Sequence, residues 1–94
     1  MKNGYVYIMS NKLKTMLYIG VTNNIRRRVK EHKELNGSAF TSKYQLTVLL
    51  HYEQITGMMN AINREKKLKN WHKEWKWNLI KENNPGLVDL SIEW

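Results

Sequence analysis

An α+β fold, with a small and mainly antiparallel three-stranded sheet flanked by helices, is what this sequence of 94 residues predicts. Three observations carry that expectation. Two runs rich in β-branched and aromatic residues flank a polar turn near the start, three later stretches have helical periodicity, and one further apolar run lies between the first two of these. The resulting order β-β-α-β-α-α cannot build the parallel βαβ repeat of a doubly wound sheet.

Residues 5–9 and 16–21 are expected to pair as a β-hairpin across the polar turn at 10–15. Asn23 and Asn24 can cap a helix over 25–35, and Asn36 and Gly37 are residue types that stop one. A polar loop at 38–44 leads to a third strand at 46–52. Residues 58–70 form a second helix and 73–81 a shorter third, broken by Asn83, Asn84, Pro85 and Gly86. Repeats, low-complexity stretches and Pro- or Ser-rich linkers are lacking. Residues 1–94 are therefore expected to be a single domain, with its core at 4–82 and a C-terminal extension at 83–94.

An apolar content of 41% fits one small core. Sixteen Lys and Arg against eight Asp and Glu leave a net charge of +8, which favours polyanions such as nucleic acid, with an anionic membrane surface as the competing partner. No apolar run approaches a membrane span, and the first residues lack a secretory apolar region, so a cytoplasmic protein with no membrane partner is expected. Without cysteine there is no disulfide and no thiolate metal site. A bound metal would then be held by oxygen or imidazole, with Mg²⁺ the natural candidate.

Helical periodicity also sorts the charged residues. At roughly 100° per residue, Ile25, Arg28, Val29, His32 and Leu35 share one side of the first helix, while Arg26, Arg27, Lys30, Lys33 and Glu34 spread over the other. A guanidinium on an apolar side needs a compensating acceptor, so something negative is expected beside Arg28. An internal salt bridge and a side chain that snorkels to water are both open. On the second helix Met58, Ala61, Ile62, Glu65 and Leu68 share a side, and Glu65 is that helix's one acid. Glu65 either bridges to Arg28 or holds a divalent cation next to a phosphate bound by Arg28. Tyr5, Tyr7 and Tyr18 come from the hairpin strands, Tyr5 and Tyr7 on one face; alone, each is better explained as half-buried core with a satisfied hydroxyl than as catalytic. His32 alone is equally compatible with ordinary packing.

Taken together, Tyr5-Val6-Tyr7, Tyr18-Ile19-Gly20, the stretch from Ile25 to His32 and Asn63-Arg64-Glu65-Lys66-Lys67-Leu68 resemble the GIY-YIG nuclease superfamily. The sequence is most similar to its small stand-alone bacterial branch, akin to the N-terminal nuclease domain of a bacterial excinuclease component. The likeness spans about residues 4–82. In the first motif Tyr5 stands where the family's name has glycine, and Gly4 lies one place earlier.

The resemblance implies a metal-dependent DNA endonuclease of DNA repair or processing, with catalytic residues Tyr7, Tyr18, Arg28, His32 and Glu65. Tyr7 and Tyr18 would line the site, Arg28 would contact the scissile phosphate, His32 would stand where relatives place a histidine or tyrosine, and Glu65 would ligate Mg²⁺ or Mn²⁺. The implied reaction is single-step attack of water on phosphorus, its proton passing to Tyr7 with His32 or a metal-bound water assisting.

Arg26, Arg27, Lys30 and Lys33 on one helix, and Lys66, Lys67, Lys69 and Lys73 on and beyond the other, could track a DNA backbone or form solvated charged faces. Lys43 belongs to the stretch from Ala39 to Tyr44, which also resembles the family and could add phosphate contacts. RNA is the alternative substrate, and a monomer or weak homodimer is expected. Trp71 and Trp75, four apart, are expected to share a helix face and to help close the core, with base stacking or dimer packing as the sharper alternative. Residues 87–94 carry no assignable role. A catalytically weak nucleic-acid-binding module, and a basic domain acting through protein contacts, are the competing functions.

Overall fold

In the computed structural model, which describes residues 3–35 and 37–94, the chain forms strands β1 (Asn3–Ser10) and β2 (Leu17–Thr22), helices α1 (Ile25–Lys33) and α2 (Ala39–Lys43), strand β3 (Val48–Thr56), and helices α3 (Met58–Lys69) and α4 (Lys73–Asn83). The sheet is antiparallel throughout, in the order β2-β1-β3. The expected α+β class and three-stranded sheet are therefore present.

β1 lies in the middle and is the most deeply buried strand: Val6, Tyr7, Ile8 and Met9 are all essentially inaccessible to water. Alternation of side chains along it divides the core in two. Val6 and Ile8 join Ile19, Leu50, Ala61, Leu68 and Ile80 on the face covered by α3 and α4. Tyr7 and Met9 join Ile25, Val29, Leu46 and Leu49 on the face covered by α1. A register shift between Ile8 and Met9, opposite His51 and Leu49, leaves Leu50 as the extra residue of β3; it packs with Val6 and Ile8, and Leu49 packs with Tyr7 and Met9. α3 sits directly on β1, because a Cβ added at Gly4 would come within 2.5 Å of the Ala61 Cβ.

α1 starts where the sequence predicts, with the Asn24 side chain accepting from the Arg27 N–H at 3.1 Å. It ends two residues earlier than expected. Leu35 takes a left-handed conformation (φ 60°) and is 42% exposed, off the buried side assigned to it. Asn36, half of the expected stop signal, lies outside the described residues. The segment expected to be a loop at 38–44 contains α2, because Ser38 and Thr41 form a capping box that satisfies the first free N–H groups of a single turn.

β3 is displaced from the expected 46–52. Leu46 is buried but its N–H goes to the Thr41 carbonyl, whereas residues 53–56 continue the ladder down to the pair Asn3↔Thr56. Glu53 is held in that extension by His51 at 2.8 Å and Arg64 at 2.9 Å, which bring its carboxyl down to about 2. α4 runs two residues beyond its expected end, until the buried Asn84 amide donates to the Leu50 and Val88 carbonyls.

The tryptophans only partly follow expectation. Trp71 precedes α4 and so shares no helix face with Trp75, although their rings meet edge to face at 6.1 Å. Trp71 and Trp77 pack on the core, while Trp75 and Trp94 stay exposed. Residues 87–94 dock across β3 and α1. Leu90 donates to the Leu49 carbonyl, Asp89 accepts from the Leu49 N–H and pairs with Lys33, and Trp94 lies between Tyr52 and Arg26.

Candidate active site

The close pairing of β1 with β2 places Tyr7 opposite Gly20 and Met9 opposite Tyr18. With no side chain on Gly20, the Tyr7 ring can lie across β2: a Cβ there would meet the Tyr7 hydroxyl at 2.4 Å and its ring at 2.5 Å. Tyr18 packs beside it, ring centres 6.4 Å apart. From the other direction α1 turns Arg28 and His32 onto the same point. The Arg28 Nε–H donates to the Tyr7 hydroxyl at 3.3 Å, and the His32 Nε2 lies 3.1 Å from the same oxygen. His32 is also 5.7 Å from the Tyr18 ring.

The acid beside Arg28 is Glu31, one turn on in the same helix, bound at 3.1 Å. The alternative bridge from Arg28 to Glu65 does not form. Glu65 is instead 3.5 Å from Lys69 on its own helix, and its side chain is 14% exposed. A surface cation four residues away contributes little to stability, so folding does not require an acid at position 65. The Glu65 charge is the smallest of the influences on the Tyr7 hydroxyl, which it raises. Tyr7, Tyr18, Arg28 and His32 thus come together beside the edge strand β2, while Glu65 stands on α3, which packs on the opposite face of the sheet.

Electrostatics divides their states. Burial pushes the Tyr7 hydroxyl above its ordinary value, against the opposing hydrogen bond and charge of Arg28. His32 is brought down to about 4 by burial, with the Arg28 charge adding to the effect. Both are therefore neutral at pH 7. Arg28 uses its own N–H on the Tyr7 oxygen, so the Tyr7 hydrogen is free to donate to His32 Nε2 in the tautomer that carries the imidazole proton on Nδ1. That buried Nδ1 has no partner among the described residues.

A folded-state value of about 4 against an ordinary 6.5 gives His32 a stability contribution that is complete above pH 6.5 and is lost as pH falls toward 4, because the unfolded chain takes up the proton first. With His32 only 1% exposed, the loss between pH 8 and pH 5 is about 2 kcal/mol. Urea unfolding at several pH values should show this decline in wild type and its absence in His32→Gln. Parallel curves for the two proteins would mean that His32 is not held neutral.

The basic residues separate into groups. Arg26, Arg27, Lys30 and Lys33 line a groove of about 510 Å³ with Ser91 and Trp94, although Lys33 is committed to Asp89 and Arg26 stacks on Trp94. Lys66 and Lys67 are exposed on α3, Lys73 begins α4, and Lys43 is exposed on α2. Sequence reasoning missed Glu31, whose three-residue spacing from Arg28 was a usable signal, and Phe40, whose ring lies 6.2 Å from Tyr18. It also missed Asp89, which no local pattern connects to Lys33.

A family model described as the GIY-YIG catalytic domain matches residues 3–78. The chain belongs to this family. It is also similar to UPF0213 proteins: 34% identical over 84 residues to that of Syntrophus aciditrophicus (88% of this chain, 95% of the other), 30% over 82 residues to that of Staphylococcus haemolyticus (87% and 99%), and 33% over 78 residues to that of Haloquadratum walsbyi (83% and 86%). No solved structure matches at a significant level. The GIY-YIG superfamily is one of nucleases that generally depend on a divalent metal and act on nucleic acid. In this GIY-YIG domain no helix among the described residues is long and apolar enough to cross a membrane.

The metal question turns on the donor set. Among the described residues there is no group of three or more His, Asp or Glu that could hold an ion. A zinc site, which needs three or four protein ligands, does not fit. Mg²⁺ keeps most of its waters and takes one or two carboxylates, so Glu65, paired only with the exposed Lys69, could supply one such ligand once that pair opens.

Proposed function

We propose that this GIY-YIG protein is a metal-dependent DNA endonuclease that hydrolyses phosphodiester bonds in repair or processing. The observation that carries the reading is the Tyr7 hydroxyl, buried and held between the Arg28 Nε–H and an uncharged His32. A core tyrosine needs one partner for its hydroxyl; two partners of opposite proton character make a path for a proton.

In the proposed reaction the scissile phosphate sits against the Arg28 guanidinium, which Glu31 and Tyr7 hold in place from two sides. Water attacks phosphorus in a single step. Its proton passes to the Tyr7 oxygen as the Tyr7 proton moves to His32 Nε2, so neither a free phenolate nor a covalent intermediate forms. Arg28 is one cause of the low His32 value, and a phosphate anion beside Arg28 offsets that charge and makes His32 a better acceptor. Tyr18 packs against both rings and fixes their orientation. Glu65 would hold Mg²⁺ or Mn²⁺, which when bound supplies Lewis-acid stabilisation of the charge developing on the phosphate and leaving oxygens. Arg26, Arg27, Lys30, Lys43, Lys66, Lys67 and Lys69, with Lys33 beyond its pairing to Asp89, would contact the DNA backbone and make binding salt-dependent.

The test is cleavage of labelled duplex, flap, branched and single-stranded DNA by purified protein, with Mg²⁺ or Mn²⁺ and with a chelator, beside Arg28→Lys. Cleavage should require the ion. Arg28→Lys should lower it about a hundredfold, because one ammonium cannot donate to Tyr7 and Glu31 while also meeting a phosphate in two places. If every substrate is bound and none is cut under any condition, the protein is a nucleic-acid-binding module.

A further inference from the structure

Outside the catalytic cluster, helix α2 presents an aromatic side chain that the core does not use. Phe40 is 44% exposed, yet its ring lies 6.2 Å from Tyr18 on one side and 4.8 Å from Tyr44 on the other. Three rings therefore run in sequence from the proposed catalytic centre to the surface. Beside them is a shallow depression of about 330 Å³ lined by Leu17, Tyr18, Ile19, Phe40, Lys69 and Lys76. Its floor is apolar and its rim cationic, and Lys43 adds a further charge over the Tyr44 ring.

Aromatic platforms with basic rims suit single-stranded nucleic acid, in which each base offers a flat face and each linkage a charge. A duplex cannot use this ring, since its bases are already stacked on one another. We propose that Phe40 is the stacking platform for an unpaired nucleobase beside the scissile phosphate, with Lys69 and Lys76 holding the adjoining backbone. The protein then prefers DNA whose strand is unpaired at the cut. This rests on the nuclease reading for the position of the phosphate, but its physical content, a base on Phe40, is independent of whether the strand is cut.

The proposal is tested with short single-stranded DNA carrying 2-aminopurine at successive positions, whose fluorescence is quenched on stacking, in the absence of divalent ion. Wild type should quench it. Phe40→Ala should abolish quenching and weaken single-strand binding about tenfold while leaving duplex binding unchanged, and Phe40→Trp should restore both. Because Phe40 is half exposed, circular dichroism should be unaltered; Phe40→Leu, which keeps the apolar bulk without the ring, should behave as the alanine variant does. Quenching and affinity that are the same in wild type and Phe40→Leu overturn the proposal, as does an equal loss of single-strand and duplex binding. Quenching that follows Phe40 in proteins that cut nothing leaves the platform standing and removes only the hydrolase reading.

Discussion

Replacing Glu65 with alanine should lower DNA cleavage about a thousandfold, or ~4 kcal/mol of transition-state stabilisation, while leaving the fold and DNA binding intact. The two halves of that expectation come from different facts. Glu65 is tied only to Lys69, an exposed side chain four residues away, so its removal costs at most about 1 kcal/mol in stability. Its proposed role as the ligand of the divalent ion makes catalysis, rather than folding, depend on it. Removing a negative charge from a basic surface does not weaken its hold on DNA. The measurements are single-turnover cleavage across a range of Mg²⁺ concentration, DNA affinity by anisotropy, and thermal unfolding. Undiminished cutting by the purified variant would show that Glu65 holds no essential ion. Lost binding would show that its role is structural.

Gly20→Ala should destabilise the protein by about 3 kcal/mol and reduce cleavage about a hundredfold, a larger effect than a single methyl group has on most strands. The reason is space rather than backbone conformation, since Gly20 is not among the positive-φ residues. The added Cβ would lie 2.4 Å from the Tyr7 hydroxyl and 2.5 Å from its ring. That ring cannot swing clear, because Arg28 and His32 hold its oxygen and the residue is only 1% exposed. Either β2 moves away from β1 or Tyr7 leaves its partners. Denaturant unfolding together with cleavage rates separates this from a purely local effect: a variant as stable as wild type, with wild-type cleavage, would show that Tyr7 is not confined in this way.

The sidedness of α1 and α3 was legible because period 3.6 is a local property: Arg28 and His32 point inward with Val29, and Glu65 lies on the face of Ala61 and Leu68. Asn24 was legible as a cap for the same reason. What was not legible depended on distant partners. The extension of β3 through Glu53 and Gln54 comes from the ladder with β1 and the contact with Arg64, against the weak strand preference of those residues. The docking of residues 87–94 rests on Asp89, whose partners Lys33 and Leu49 lie far back in the chain. α2 was a nearer miss, since the pair Ser38 and Thr41 has capping-box spacing but the turn it starts has only five residues. At the candidate site, sequence singled out Tyr7, Tyr18, Arg28 and His32 but not the exposed ring beside them, because nothing local distinguishes Phe40 from a ring packed into the core.

The placement of β1 between its two partners also governs the order in which the molecule becomes competent. Tyr7, Tyr18, Arg28 and His32 all lie on the hairpin and first helix, elements close in sequence that can associate early. Glu65 follows β3, whose ladder with β1 joins residues as far apart as Asn3 and Thr56 and must close a long loop. The residues around Tyr7 are thus local in the chain, whereas Glu65 lies beyond the long-range β1–β3 pairing. In the proposed machinery, a chain cut short before α3 lacks the carboxylate, so such a fragment should not cleave DNA.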